Sequence, residues 1–373
     1  MERFDLAFVI NSFEFFKSHR KNLIISLANS GKKIAVITNL EGVDLEEIGQ
    51  LERLNIFFFN YKLDRSSLGL FSNLIDFFRL YRILIKIRAE KLNLISSKPI
   101  ILGGICSYFL SLNKVFFTIS GLGYIFISKS LRARVFKRVI LFMYKILFSK
   151  KNIKVIFQNK DDLNYFVERK VLNKQKSLLI RGNGINLKKF KRVDFPKKLT
   201  FLFASRLLID KGVLEFVEAA SRFDKTNCSF LLAGDIDIDN PNSLRESKLN
   251  EIKKFQYIEY LGKISHSDMA ELFNKASVFV LPSYREGLPQ AALEAGACSM
   301  PLILTDVNGC RDCLIDNETG FLIREKNVDS LVNKINLFVC NPDLVGQMGN
   351  RSKEYIRDNF SEEKIHNQFH EIY

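Results

Sequence analysis

Arg206 and Lys211 are the first residues of this chain whose types and spacing suggest chemistry. Both follow the apolar run LTFLFAS, and Lys211 precedes Gly212 at the start of a segment of helical period. Backbone N–H groups and the helix dipole favour anions at such a place, so two cations there suit a diphosphate. Two ordinary surface ion pairs would explain the same residues taken alone. A second segment, LPSYREGLPQAALEAGAC (281–298), places Glu286 in a loop that ends a strand and Glu294 inside the helix that follows. Gly287 and Leu288 offer backbone to an approaching ligand, and Pro289 suits the first turn of a helix. The two carboxylates are separated by about 12 Å if all the intervening residues are helical, comparable with the reach from a hexose across a diphosphate to a ribose. Carboxylates accept charge-assisted hydrogen bonds from sugar hydroxyls. The glutamates alone are equally explained by a solvated helix face.

The elements that must position these residues are legible as alternation. Short apolar runs that read as buried parallel strands (DLAFVIN, KIAVIT, NIFFFNY, LNLISS, VFFTIS, KVIFQN) alternate with helical segments. The helices are expected from about residue 18 to 30, around 70 to 90 and near 103 to 112. After the lysine-rich stretch LKKFKRVDFPKK (187–198) a second series begins: LTFLFAS, a helix over 212–222, CSFLLAGD, YIEYLG, SVFVLPS, a helix over 289–298, PLILTD and GFLI. Helices close the chain at roughly 328–340, 343–357 and 361–372. The pattern implies two α/β domains with doubly wound sheets, in which ligands bind outside the carboxyl ends of the strands.

Size and composition agree with this division. A chain of 373 residues exceeds what one core usually organises. With 47% hydrophobic and 26% charged residues and only seven prolines, it is built to bury cores. The net charge of +15 points to an anionic partner, whether nucleic acid, membrane surface or phosphorylated substrate. Six scattered cysteines make no disulfide framework, and a reducing cytosol is expected. FDLAFVIN starts without the basic and long apolar regions of a secretory signal, so export is not expected. The longest central apolar run, VILFMYKILF (139–148), is about half the roughly 20 residues that span a bilayer.

Taken together, Arg206…Lys211-Gly212, the Leu231-Leu232-Ala233-Gly234 strand end, and the E-x7-E segment from Glu286 to Glu294 resemble the donor domain of the family 4 retaining glycosyltransferases of GT-B fold. The resemblance covers most of residues 199–360. It implies two Rossmann-like doubly wound domains facing a central cleft. They would comprise an acceptor-binding domain at 1–188, onto which a C-terminal helix at about 358–373 packs back, and a nucleotide-sugar donor domain at 189–357. It also implies that Arg206 and Lys211 bind the donor diphosphate and stabilise leaving-group charge, that Glu286 holds the transferred sugar, and that Glu294 bonds the ribose. Gly287, Leu288 and Pro289 at the helix start would serve sugar and phosphates, with Gly234 close by and the base near Ile264.

The first half matches less fully. RGNGINLKKF (181–190) is similar to the family's G-x-D/N…F junction, and Gly121 and Gly123 follow a strand where backbone could approach the donor phosphates or the acceptor. A plain tight turn explains those glycines as well. Asn11, Ser12 and Phe13 stand where many relatives carry a glycine pair, and Ser120 where many carry a histidine. His19 and Arg20, at an expected helix start, are candidates for an acceptor phosphate, with a capping or surface role as the alternative.

Three features are set against this frame. Asp235, Asp237 and Asp239 carry a D-x-D spacing able to hold a divalent ion through oxygen ligands, yet a solvated acidic turn is the expected reading and no metal is expected. Cys310 and Cys313 have no second Cys or His pair nearby for zinc. Residues 129–154 carry nine basic and no acidic residues among aliphatics and phenylalanines, the makeup of an interfacial helix on anionic lipid or of a solvated basic face over a packed one.

The resulting expectation is a retaining glycosyltransferase with no cofactor, taking a hexose or N-acetylhexosamine from a UDP-sugar. Its acceptor would be an undecaprenyl-diphosphate-linked glycan of O-antigen or capsule synthesis, at the cytoplasmic face of the membrane in peripheral contact with anionic lipid. Nucleic acid is not an expected partner. The alternatives are a sugar-nucleotide epimerase of the same architecture and a noncatalytic nucleotide- or lipid-binding protein.

Overall fold

A computed structural model describes residues 3–373 except 64–69, 123–125, 127–130, 195, 225, 238–239 and 241. The chain divides into two compact units, one of residues 1–183 with 365–373 and the other of residues 184–364.

The first unit runs β1 (Phe4–Val9), α1 (Phe13–His19), α2 (Lys21–Asn29), β2 (Ile34–Thr38), α3 (Leu45–Glu52), β3 (Ile56–Asn60), α4 (Leu70–Ile87), β4 (Ala89–Ile95), α5 (Ser97–Cys106), β5 (Lys114–Ile119), α6 (Leu131–Ser149), β6 (Ile153–Phe157), α7 (Lys160–Glu168) and β7 (Ser177–Leu179). Every pairing is parallel and the strand order is β3-β2-β1-β4-β5-β6-β7. The sequence reads as continuous apolar runs because both faces of the central strands are covered; all five residues of β2 are buried. Helices α4, α5 and α6 cover one face through Leu80, Ile100, Cys106, Tyr144 and Leu147. Helices α1 and α2 cover the other through Phe13, Phe16, Leu23 and Leu27.

The second unit repeats this winding: β8 (Thr200–Ala204), α8 (Val213–Ala220), β9 (Ser229–Ala233), α9 (Glu246–Ile252), β10 (Glu259–Gly262), α10 (Met269–Asn274), β11 (Val278–Leu281), α11 (Gln290–Ala297), β12 (Leu302–Thr305), β13 (Gly320–Ile323), α12 (Val328–Cys340) and α13 (Asp343–Phe360), with α14 (Glu362–Ile372) following. The order is β10-β9-β8-β11-β12-β13, again all parallel. Strand order reverses between β8 and β11, the switch point where loops diverge and leave a crevice at the carboxyl ends.

Several sequence expectations shift. The helix expected over 18–30 is two helices broken at Arg20, whose φ of −130° and ψ of −16° leave helical geometry. Ser12 caps α1 by accepting from the Phe15 amide at 3.3 Å. The helix expected near 103–112 is α5, which starts at Ser97 with Pro99 in its first turn, where a missing N–H costs nothing. The division between units falls at 183/184 rather than 188/189, and the return at 364/365 rather than 358. The reason is a bridge inside the second unit, in which the Ile185 amide donates to the Phe360 carbonyl at 2.7 Å and the Glu362 amide donates to the Ile185 carbonyl at 3.1 Å. Residues 184–190 and 358–364 are thereby tied to the second unit.

The last nine residues complete the first unit. Ile365, Phe369 and Tyr373 join the core on the α1–α2 side. The Tyr373 ring meets Phe8 and Phe116 edge to face at 5.8 and 4.9 Å, and its hydroxyl accepts from Asn93, which in turn accepts from Thr118 at 2.9 Å. Phe369 covers the Arg20 guanidinium at 5.9 Å.

Candidate active site

Five loops at the carboxyl ends of the second sheet build one site. The loop after β8 (205–212) and the loop after β11 (282–289) flank the switch point. Asp210 joins them, its carbonyl accepting from the Tyr284 amide at 2.8 Å and from the buried Ser283 hydroxyl at 3.1 Å. Gly212 lets them touch, since its φ is +76° and a Cβ there would lie 2.1 Å from the Pro282 carbonyl oxygen. No L-residue side chain fits at that distance, and the left-handed backbone disfavours one independently.

The loop after β9 packs on the other side of the β8 loop. Gly234, at φ +142°, would place a Cβ 1.9 Å from the Ser205 carbonyl oxygen, and its amide donates to Gly262 at 2.8 Å. The Leu207 amide donates to Asp235 at 2.9 Å and the Ile209 amide to Asn242 at 2.8 Å. Gly234 thus brings the loops after β8, β9 and β10 into contact. The loop after β12 closes the set, with the Glu286 amide donating to the Asn308 carbonyl at 3.3 Å.

On this frame Lys211 and Glu286, 75 positions apart in sequence, meet at 2.6 Å between Nζ and Oε1. Lys211 is 17% and Glu286 9% exposed, so the pair is half-buried and less screened than an ion pair at the open surface. Arg206 does not join them. It extends into solvent and its Nη1 lies 2.7 Å from Asp237 Oδ2, an exposed pair of small intrinsic worth. The middle aspartate of the D-x-D loop therefore holds an arginine; Asp239 lies outside the described residues. Buried Cys310 lies beside this pair, and burial pushes its thiol well above the ordinary range, with Glu286 adding to the effect.

Pro289 is the residue before α11 rather than its first turn, with φ −70° and ψ 103°, and no side chain caps the helix start. Leu288 is half-buried against the core. Glu294, one turn into α11, is 3% exposed, and its Oε1 accepts from Gln290 Nε2 at 3.2 Å and pairs with His266 Nε2 at 3.0 Å. His266 was not singled out from sequence. It stands two residues beyond Ile264, which packs partly buried against the same core. Lys189, from the RGNGINLKKF junction, donates to the His266 carbonyl at 2.7 Å, and Phe190 meets the imidazole edge to face at 5.9 Å.

The candidates of the first unit are not gathered in this way. His19 stacks on Phe15 at 4.4 Å and its Nδ1 lies 2.6 Å from the Ser18 hydroxyl. Arg20 is 1% exposed under Phe369, and burial lowers its guanidinium to about 10, so it is withdrawn from solvent rather than offered to an acceptor. Gly121 follows β5 with φ +143°; Gly123 lies outside the described residues.

Two doubly wound units, with the Lys211–Glu286 pair at the switch point of the second, define a two-domain architecture of Rossmann-like units. Comparison with known proteins fixes the class. Residues 185–355 match the family model of glycosyl transferases group 1, and residues 5–159 that of glycosyl transferase 4-like domains. The chain belongs to the family 4 glycosyltransferases of GT-B fold.

Among its relatives is the N,N′-diacetylbacillosaminyl-diphospho-undecaprenol α-1,3-N-acetylgalactosaminyltransferase of Campylobacter jejuni, 31% identical over 293 residues, which are 75% of each chain. Another is the UDP-Gal:α-D-GlcNAc-diphosphoundecaprenol α-1,3-galactosyltransferase of Escherichia coli, 26% identical over 82% of this chain and 81% of that one. Among solved structures, Anabaena HepE in complex with UDP and glucose superposes with a TM-score of 0.78 at 15% identity, covering 100% of this chain and 99% of that one.

Proposed function

We propose that this glycosyltransferase moves a hexose or N-acetylhexosamine from a UDP-sugar, with retention of configuration, onto an undecaprenyl-diphosphate-linked glycan during O-antigen or capsule assembly. The observation that carries the reading is the half-buried Lys211–Glu286 pair at the switch point, with Arg206 on the same loop as Lys211. The relatives named above act, by their names, on diphospho-undecaprenol-linked sugars, and a neighbour of the same fold holds UDP and glucose.

In this reading Lys211 and Arg206 take the donor diphosphate and offset the charge that grows on the leaving UDP. Glu286 accepts from hydroxyls of the transferred sugar, and Lys211 fixes its orientation. The start of α11, with Gly287, Leu288 and Pro289, presents backbone and the positive end of the helix to sugar and phosphates. Glu294 accepts from the ribose, and the base rests near Ile264. The acceptor hydroxyl attacks from the face the leaving group vacates, a departing phosphate oxygen takes its proton, and no protein nucleophile is required. No metal is required either, since cationic side chains serve the diphosphate.

Peripheral contact with the inner face of the membrane belongs to the same proposal. Of the 17 large apolar side chains exposed among the described residues, 11 lie on α4, α5 with the turn after it, and α6. On α6, Val135, Val139, Phe142 and Ile146 form an outward stripe beside exposed Arg134, Arg138 and Lys145. Basic residues flanking an exposed apolar stripe fit anionic lipid.

The test is a donor screen that reads released UDP with membrane lipid-linked acceptor, with and without EDTA. Turnover restricted to one UDP-sugar, abolished by Glu286→Ala and insensitive to EDTA, is expected. Isomerisation of donor without acceptor would establish the epimerase instead, and UDP binding without any transfer the noncatalytic protein.

A further inference from the structure

We infer that His266, held by Lys189, is a positioning residue that presents Glu294 to the ribose of the donor and makes the site selective for ribonucleotides. The inference rests on the assignment of Glu294 to the ribose made above.

The imidazole bridges two charged side chains from distant parts of the second unit. Lys189 Nζ lies 3.4 Å from His266 Nδ1, and His266 Nε2 lies 3.0 Å from Glu294 Oε1. An ammonium carries donors and no acceptor, so the tautomer that satisfies both contacts has Nδ1 accepting and the ring proton on Nε2, donating to the carboxylate. Lys189 is in turn anchored by its bond to the His266 carbonyl at 2.7 Å, and Phe190 backs the ring. Gln290 Nε2 donates to the same Oε1 at 3.2 Å. Both contacts of Glu294 with protein side chains thus fall on one oxygen, which fixes the carboxylate and leaves Oε2 to accept from a hydroxyl.

A carboxylate that is 3% exposed gains most from such ordering. Every bond it makes is strengthened by low local dielectric, and an unplaced one is costly. Supporting contacts of this kind act on the hydroxyl-dependent part of affinity alone.

The experiment measures UDP and 2′-deoxy-UDP binding to the full chain by calorimetry, for wild type, His266→Ala, His266→Gln, Lys189→Ala and Glu294→Ala, with thermal midpoints alongside. Wild type is expected to prefer UDP by roughly tenfold or more, the scale of a hydrogen bond to a charged group. His266→Ala should lose most of that preference by weakening UDP while changing 2′-deoxy-UDP less than about twofold. The Gln amide reaches the Nε2 position and should restore the preference, and Lys189→Ala should fall between the two. His266→Ala that weakens both nucleotides equally, or neither, overturns the inference while leaving the donor site standing. Preference for UDP that survives in Glu294→Ala, or wild type that binds neither nucleotide, instead overturns the ribose assignment on which it rests.

Discussion

At the scale of residues, the site joins by one ion pair two residues assigned to different parts of a donor. Sequence placed Lys211 on the diphosphate and Glu286 on the sugar; the fold makes them partners at 2.6 Å. Removing one partner of a half-buried pair strands the other charge. Lys211→Ala should therefore lower the thermal midpoint as well as kcat/KM, the latter by about 10²–10³-fold if one charge-stabilising donor is lost. The double variant Lys211→Ala/Glu286→Gln should recover most of the midpoint and none of the turnover, as read by differential scanning fluorimetry and UDP release. Arg206 presents the opposite case. In the proposed role its exposed bond to Asp237 would compete with an incoming phosphate, so Asp237→Asn should tighten UDP binding by a few-fold, the scale of an exposed pair. That gain should vanish in the Arg206→Ala background, which calorimetry on the four proteins would check.

At the scale of elements, the central strands were legible because burial on both faces writes them as unbroken apolar runs, as in IAVIT and VFVL. What was not legible depended on distant partners. The break at Arg20 arises where Phe369, some 350 positions later, covers a buried guanidinium, and nothing local marks it. β7 was missed because three residues following Lys174, Gln175 and Lys176 carry no period of their own. His266 looks like a lone polar residue in an SHS loop until the fold sets it against Glu294 and Lys189. The juxtaposition of Lys211 and Glu286, by contrast, could be anticipated because each lies just past a strand, where loop residues gather whatever their separation in sequence. Gly212 is the element-scale test of that gathering. Gly212→Ala would have to displace the Pro282 carbonyl from 2.1 Å and adopt φ +76°, at a cost of at least about 1–2 kcal/mol for the backbone alone. A lower thermal midpoint is expected together with weakened UDP binding, since the Lys211 and Glu286 loops separate as one event. A midpoint equal to that of wild type would remove this role from the glycine.

At the scale of the whole molecule, α4 and α6 of the first unit both turn bases and large apolar groups outward, and the proposed membrane contact would draw on these bases and on the net charge of +15. Each basic residue near an anionic surface contributes about 1 kcal/mol. Replacing Arg134, Arg138 and Lys145 with Glu should therefore reduce co-sedimentation with phosphatidylglycerol vesicles by more than about 100-fold while leaving UDP binding unchanged. Phe142→Ala should weaken vesicle binding further at high salt, where the charge contribution is screened.

The return of residues 365–373 to the first unit also orders events in time. During synthesis the second unit, residues 184–364, is continuous and can close as soon as it emerges. The first unit, although made first, must wait for Phe369 and Tyr373 to cover Arg20, Phe8 and Phe116. At about 5–20 residues per second this leaves the patch of that face around Arg20, Phe8 and Phe116 without its last cover for roughly 10–40 s of synthesis. The half of the enzyme that is translated first thus gains its last covering residues only at the end of synthesis.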